Sequence, residues 1–117
     1  MSMTIREACA ITDQVCKLNA YDNETKTRWL SELDGQIQSE LYHWSPSDII
    51  HYDWDSCAEH QLLADPPYDA MYPRWLVAQI DLANGEYEKY HNDREVFNQI
   101  YQEYARWLVR EKGGVIA

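Results

Sequence analysis

The sequence predicts a mostly helical protein: a small bundle with two long helices of antiparallel type, and an extended arm or short β-hairpin inserted between its halves. Apolar residues recur every three to four positions on either side of the middle of the chain, whereas the stretch 45–70 loses that period and holds Pro46, Pro66 and Pro67. A 45% apolar content with 13% aromatic residues is enough to build a core despite a net charge of −10. At 117 residues one domain is expected, 1–117, with an acidic extended insertion at about 45–70.

Thr4 followed by Glu7 is a capping box, and Ile5, Ala8, Ile11 or Thr12, Val15 and Leu18 then make a helical stripe up to Asn19. Tyr21-Asp22-Asn23 makes a turn. A second helix, 23–43, starts at Asp22 or Asn23 and puts Trp29 or Leu30, Leu33, Ile37 and Leu41 on one face, with Glu32, Gln36, Ser39 and Glu40 largely opposite. Gly35 costs that helix roughly 1 kcal/mol against alanine. From Ser47 to Asp55 the period becomes two, with Ile50, Tyr52 and Trp54 alternating with Ile49, His51, Asp53 and Asp55. A short strand fits, with Gln61-Leu62-Leu63 as its partner; an irregular loop fits the same residues.

Helix resumes at about Asp69, with Pro73 tolerated in its first turn and Asn84-Gly85 as its stop. Its buried candidates are Met71 or Tyr72, Trp75 or Leu76, Ile80 and Ala83. Glu86 to Tyr90 reads as a turn of its own, and Asn92 or Asp93 as the cap of a last helix, 92–111, ending at Gly113-Gly114. Val96 or Phe97, Ile100, Tyr104 and Trp107 or Leu108 form its stripe, and Arg106, Arg110 and Lys112 sit where cations favour the helix dipole. Helices of about 20 residues are roughly 30 Å long. In a domain with a radius of gyration near 13 Å, 23–43 and 92–111 should therefore pack side by side.

Half as many basic as acidic residues (10 against 20) argues against wrapping duplex DNA or binding anionic lipid. No apolar run approaches the roughly 18–20 residues of a membrane span, and Met1 to Ile11 lacks a leader pattern, so a cytoplasmic location is expected. The stretch 45–70 holds six carboxylates and no Lys or Arg. Cys9, Cys16 and Cys57 are read as reduced thiols, the first two as small core side chains. His51 with Asp48, Asp53, Asp55, Cys57, Glu59 and His60 has metal-ligand residue types, but the spacing fits neither an EF-hand nor a zinc finger. No nucleophile setting or Gly-rich phosphate loop is present. An enzyme, a cofactor and a metal are accordingly not expected.

The aromatic residues exceed what one small core encloses, so either subunit contacts or a solvated core rim must take the surplus. Asp48, Ile50, Tyr52, Asp53, Trp54 and Asp55 are the expected oligomer or partner interface, on an arm expected to be mobile in the free subunit.

The stretches 25–37 (TKTRWLSELDGQI), 62–69 (LLADPPYD), 76–90 (LVAQIDLANGEYEKY) and 97–106 (FNQIYQEYAR) resemble small proteins of the head–tail connector (adaptor, or head-completion) family of tailed phages and prophages of Gram-positive bacteria. The resemblance covers about residues 4–110. It implies a structural virion assembly subunit that joins a homo-oligomeric ring beneath the portal protein and docks the next tail-side connector component. Its location would be the virion, after the host bacterial cytoplasm. A different class of reading is an acidic phage- or prophage-encoded interaction protein that binds or inhibits a host factor by imitating nucleic acid.

Overall fold

The computed structural model describes residues 3–16 and 21–112, which form five α-helices. They are α1 (Ile5–Val15), α2 (Asn23–Glu40), α3 (Trp54–Cys57), α4 (Met71–Ala83) and α5 (Tyr87–Lys112), with 3-10 turns at Pro46–Asp48 and Tyr68–Ala70. Leu18, Asn19 and Gly113-Gly114, expected at helix ends, lie outside the described residues.

Local signals set most of the boundaries. Both halves of the capping box at α1 are made: Thr4 Oγ1 accepts from the Glu7 N–H (3.1 Å), and Glu7 Oε1 accepts from that of Thr4 (2.9 Å). The Asp22 carboxylate caps α2 by accepting from the Thr25 N–H (2.8 Å). That helix ends at Glu40, short of the expected 43, because His43 takes a left-handed φ of 61° and the Trp44 N–H folds back onto the Gln38 carbonyl (2.9 Å). Pro73 sits in the first turn of α4. Gly85, at φ 77°, closes that helix: its N–H bonds the Leu82 carbonyl and the Glu86 N–H the Asp81 carbonyl. The expected cap at Asn92 or Asp93 is not used. The Tyr90 N–H already bonds the Glu86 carbonyl (3.0 Å), so the turn after Gly85 runs unbroken into α5. At 26 residues α5 is about 39 Å long, close to the 41 Å longest extent of the molecule.

The bundle is organised around α4. Met71, Tyr72, Trp75, Leu76, Ala78 and Ile80 are buried around most of its circumference, and it packs against α1, α2 and α5. The expected side-by-side packing of 23–43 on 92–111 is therefore corrected: α5 lies along α4, which takes the apolar stripe that each long helix offers. α2 meets α5 near its C-terminal end, where Tyr101 Oη donates to Glu40 (3.0 Å) and the Tyr42 and Tyr104 hydroxyls share a hydrogen bond (3.0 Å). Lys26 is buried along its stem and pairs with Asp13, tying α2 to α1. Cys9 is a core side chain, its thiol pushed up to about 11 chiefly by burial.

No β-hairpin forms among the described residues. The Gln61-Leu62 stretch does pair, but with the start of the chain: Thr4 and Gln61 make an isolated antiparallel bridge, and the Leu62 N–H bonds the Met3 carbonyl (2.9 Å). The Ile5 and Arg6 N–H groups, which no turn of α1 can satisfy, bond the His60 and Ala58 carbonyls (3.1 and 2.9 Å).

Candidate interaction surface

The strand expected from Ser47 to Asp55 does not form: Ser47 and Asp48 lie in a 3-10 turn, Trp54 and Asp55 begin α3, and the backbone between them finds its partners in side chains of α2. Ser31, Asp34 and Gln38 recur at spacings of three and four, so they form one buried polar stripe along that helix. Gln38 brackets Ile50, its Oε1 accepting from the Ile50 N–H (2.8 Å) and its Nε2 donating to the Ile50 carbonyl (3.2 Å). Ser31 Oγ accepts from the Tyr52 N–H (3.0 Å). Asp34, fully buried, accepts from Tyr52 Oη (2.6 Å), from Tyr72 Oη (2.7 Å) and from the Leu63 N–H (3.2 Å). Tyr72 Oη in turn accepts from the Ala64 N–H (2.8 Å). Burial pushes the Asp34 carboxyl up, and the two phenols and the amide pull it back. Both phenols are pushed well above their ordinary value by burial and by the carboxylate they face.

The stretch from Trp44 to Ala64 is thus a strap stitched to α1 and α2. Its six expected interface residues separate. Tyr52 is a core residue, 8% exposed, and is not available to a partner. Asp53 caps α3, accepting from the Ser56 N–H (2.9 Å) and Oγ (2.7 Å), and these bonds hold its carboxyl below the usual range. Trp54 is half-buried beneath the Arg6 guanidinium (5.1 Å), which also pairs with Glu59. Asp48, Ile50 and Asp55 remain outward, with Ile50 53% exposed. Asp48 is fixed by Ser45 Oγ (2.8 Å).

The histidines and carboxylates with metal-ligand chemistry are also dispersed: His60 packs its ring on Tyr52 (5.0 Å), while Asp53 and Glu59 are taken by Ser56 and Arg6. Among the described residues no three of His, Cys, Asp or Glu group to hold a metal ion. No described helix is long and apolar enough to cross a membrane.

The surplus aromatics mostly interlock. Trp75 packs at a tilt against Phe97 (5.1 Å) and donates from Nε1 to the Trp29 carbonyl (2.8 Å), and Tyr68 packs on Tyr104 and Trp107 (5.6 and 5.8 Å). Sequence reasoning missed the Ser31-Asp34-Gln38 stripe, whose signal was its helical spacing beside the apolar stripe of Leu30, Leu33 and Ile37. It also assigned no binding role to Arg106 and Arg110, which with Tyr68 and Glu103 line a cavity of about 310 Å³.

No family model, curated protein or solved structure matches this chain.

Proposed function

We propose that the chain is a structural head–tail connector subunit that forms a ring beneath a portal protein and presents a docking surface to a tail-side component. The observation that carries this reading is the strap: a segment with no Lys or Arg, anchored to the helical body through Gln38, Ser31 and Asp34, that holds Asp48, Ile50 and Asp55 outward. Anchoring settles the ordering cost before a partner arrives, which favours assembly. Carboxylates facing a DNA channel repel phosphates and let the duplex slide. The likeness of 25–37, 62–69, 76–90 and 97–106 to the connector family supports the same role, in the virion after release from the host cytoplasm. The buried polar groups Asp34, Tyr52 and Tyr72 are satisfied by one another, so they serve the fold and not a reaction.

Electron microscopy of virions carrying a labelled copy of this protein tests the proposal. Label at the head–tail junction is expected. Virions without label, together with co-purification of the protein with a host factor, would reject it in favour of an acidic inhibitor.

A further inference from the structure

Arg106 and Arg110 stand out in a chain of net charge −10. Four residues apart on α5, they share a face, are exposed, and form no ion pair among the described residues. With Tyr68 and Glu103 they line the cavity of about 310 Å³, so the lining carries two guanidinium groups against one carboxylate. The Tyr68 ring is held from behind by Tyr104 and Trp107. Arginine and tyrosine in a concave, preordered setting are the residue types that carry binding energy at protein interfaces.

The complement of this cradle is found on the same molecule. The strap presents Ile50 as an exposed apolar residue, Asp48 and Asp55 are exposed on either side of it in sequence, and the whole stretch 45–70 holds no Lys or Arg. An exposed apolar residue on a strap that also exposes Asp48 and Asp55 complements, in chemistry and in sign, a cradle of one tyrosine and two arginines. We infer that the Arg106–Arg110–Tyr68 cradle receives the acidic strap of a second copy of this chain. The inference rests on reading the chain as an assembling subunit. Guanidinium groups bind carboxylates with paired hydrogen bonds, and opposite charge steers the approach and fixes register. Because cradle and strap are different patches, the contact is head to tail, the type that closes into a ring when the rotation per subunit divides the circle.

The test uses four full-length chains: wild type, Arg106→Glu/Arg110→Glu, Asp48→Lys/Asp55→Lys, and the chain with all four changes. Sedimentation velocity is run at about 50 mM and about 500 mM salt, because salt screens attraction between exposed charges, with a Debye length of about 10 Å at 0.1 M and about 3 Å at 1 M. Wild type should gain mass with concentration at low salt and lose that gain at high salt. Each double variant alone should need about tenfold more protein or above to associate. An equimolar mixture of the two double variants should recover association by alternation, Glu–Lys and the original Arg–Asp contacts taking turns from junction to junction; the fourfold variant should recover because Glu meets Lys at every junction. All four positions are exposed, so far-UV circular dichroism should not change. A wild type that stays monomeric up to about 1 mM, a double variant that associates as wild type does, or mixtures that fail to recover while remaining folded would each overturn the contact. Virion labelling reads out separately: recovery by charge exchange with unlabelled virions keeps the contact and discards the connector role, and labelled virions without recovery do the reverse.

Discussion

Replacing Asp34 by alanine removes the acceptor for three donors at once: the Tyr52 and Tyr72 hydroxyls and the Leu63 N–H. Each buried donor left without a partner costs about 1–3 kcal/mol. Deleting the carboxyl also relieves the desolvation that pushes it up, which offsets part of that sum. The net expectation is a loss of about 3 kcal/mol. With about 2.1 cal/mol/K of unfolding entropy per residue, the chain unfolds with about 0.25 kcal/mol/K, so Tm should fall by about 12 °C. Asp34→Asn, which keeps the shape and one carbonyl acceptor, should cost about half as much. Urea unfolding of Asp34→Ala, Tyr72→Phe and the double variant closes a cycle whose coupling should be about 1–2 kcal/mol, since the Tyr72 hydroxyl loses its acceptor with Asp34 and keeps only the bond it accepts from the Ala64 N–H. An alanine variant within about 0.5 kcal/mol of wild type, or a cycle with no coupling, would refute the claim that Asp34 anchors the strap.

Asp93 on α5 has a buried Oδ2 that meets no donor and faces the Asp81 carboxyl of α4, and desolvation followed by that neighbour raises it from 3.8 to about 7 against the pull of Arg74 and Lys89. A raised carboxyl binds its proton more tightly in the folded state, so this site's contribution is complete below pH 3.8 and is lost as pH rises to about 7. Asp93→Asn should therefore leave Tm nearly unchanged at pH 4 and raise stability at pH 8 by on the order of 1 kcal/mol, allowing for solvent screening; calorimetry across that range that shows no pH-dependent difference would count against the pair. A Cβ on Gly35 would sit 3.7 Å from Ile49 Cγ2, an ordinary contact, so Gly35→Ala should stabilise α2 by about 0.5–1 kcal/mol in urea unfolding, and a destabilised variant would mean that the glycine permits the strap's approach.

What could be read from the sequence was what neighbouring residues decide. Thr4 with Glu7, Asp22 with Thr25, Pro73 and Gly85 each fix a boundary through partners within about four positions, and each does so in the structure. Period two from Ser47 to Asp55 suggested a short strand, but that stretch begins in a 3-10 turn that ends at Asp48 and runs into α3 at Trp54. The period could not report that a glutamine on a helix, and no strand, would satisfy Ile50, because that partner lies 12 residues away in sequence. Asp34 was invisible for a related reason: a single aspartate in mid-helix looks solvent-facing until Tyr52 and Tyr72, 18 and 38 residues on, arrive above it. The choice of partner for the long helices was likewise non-local. Two stripes show that each helix needs a neighbour; the broad apolar circumference of α4 shows which neighbour both take.

The position of α4 also orders events in time. α1 and α2 leave the ribosome first, yet the helix against which both bury their apolar faces begins at Met71. From the end of α2 to the end of α4 is about 40 residues, or about 2–8 s at about 5–20 residues per second. For that interval Ile5, Leu30, Leu33 and Ile37 have no native partner on α4, and the nascent chain is open to chaperones and to misassociation. Productive folding therefore waits for residue 83, and slowing translation before Met71 should lower the yield of native protein without altering its final stability.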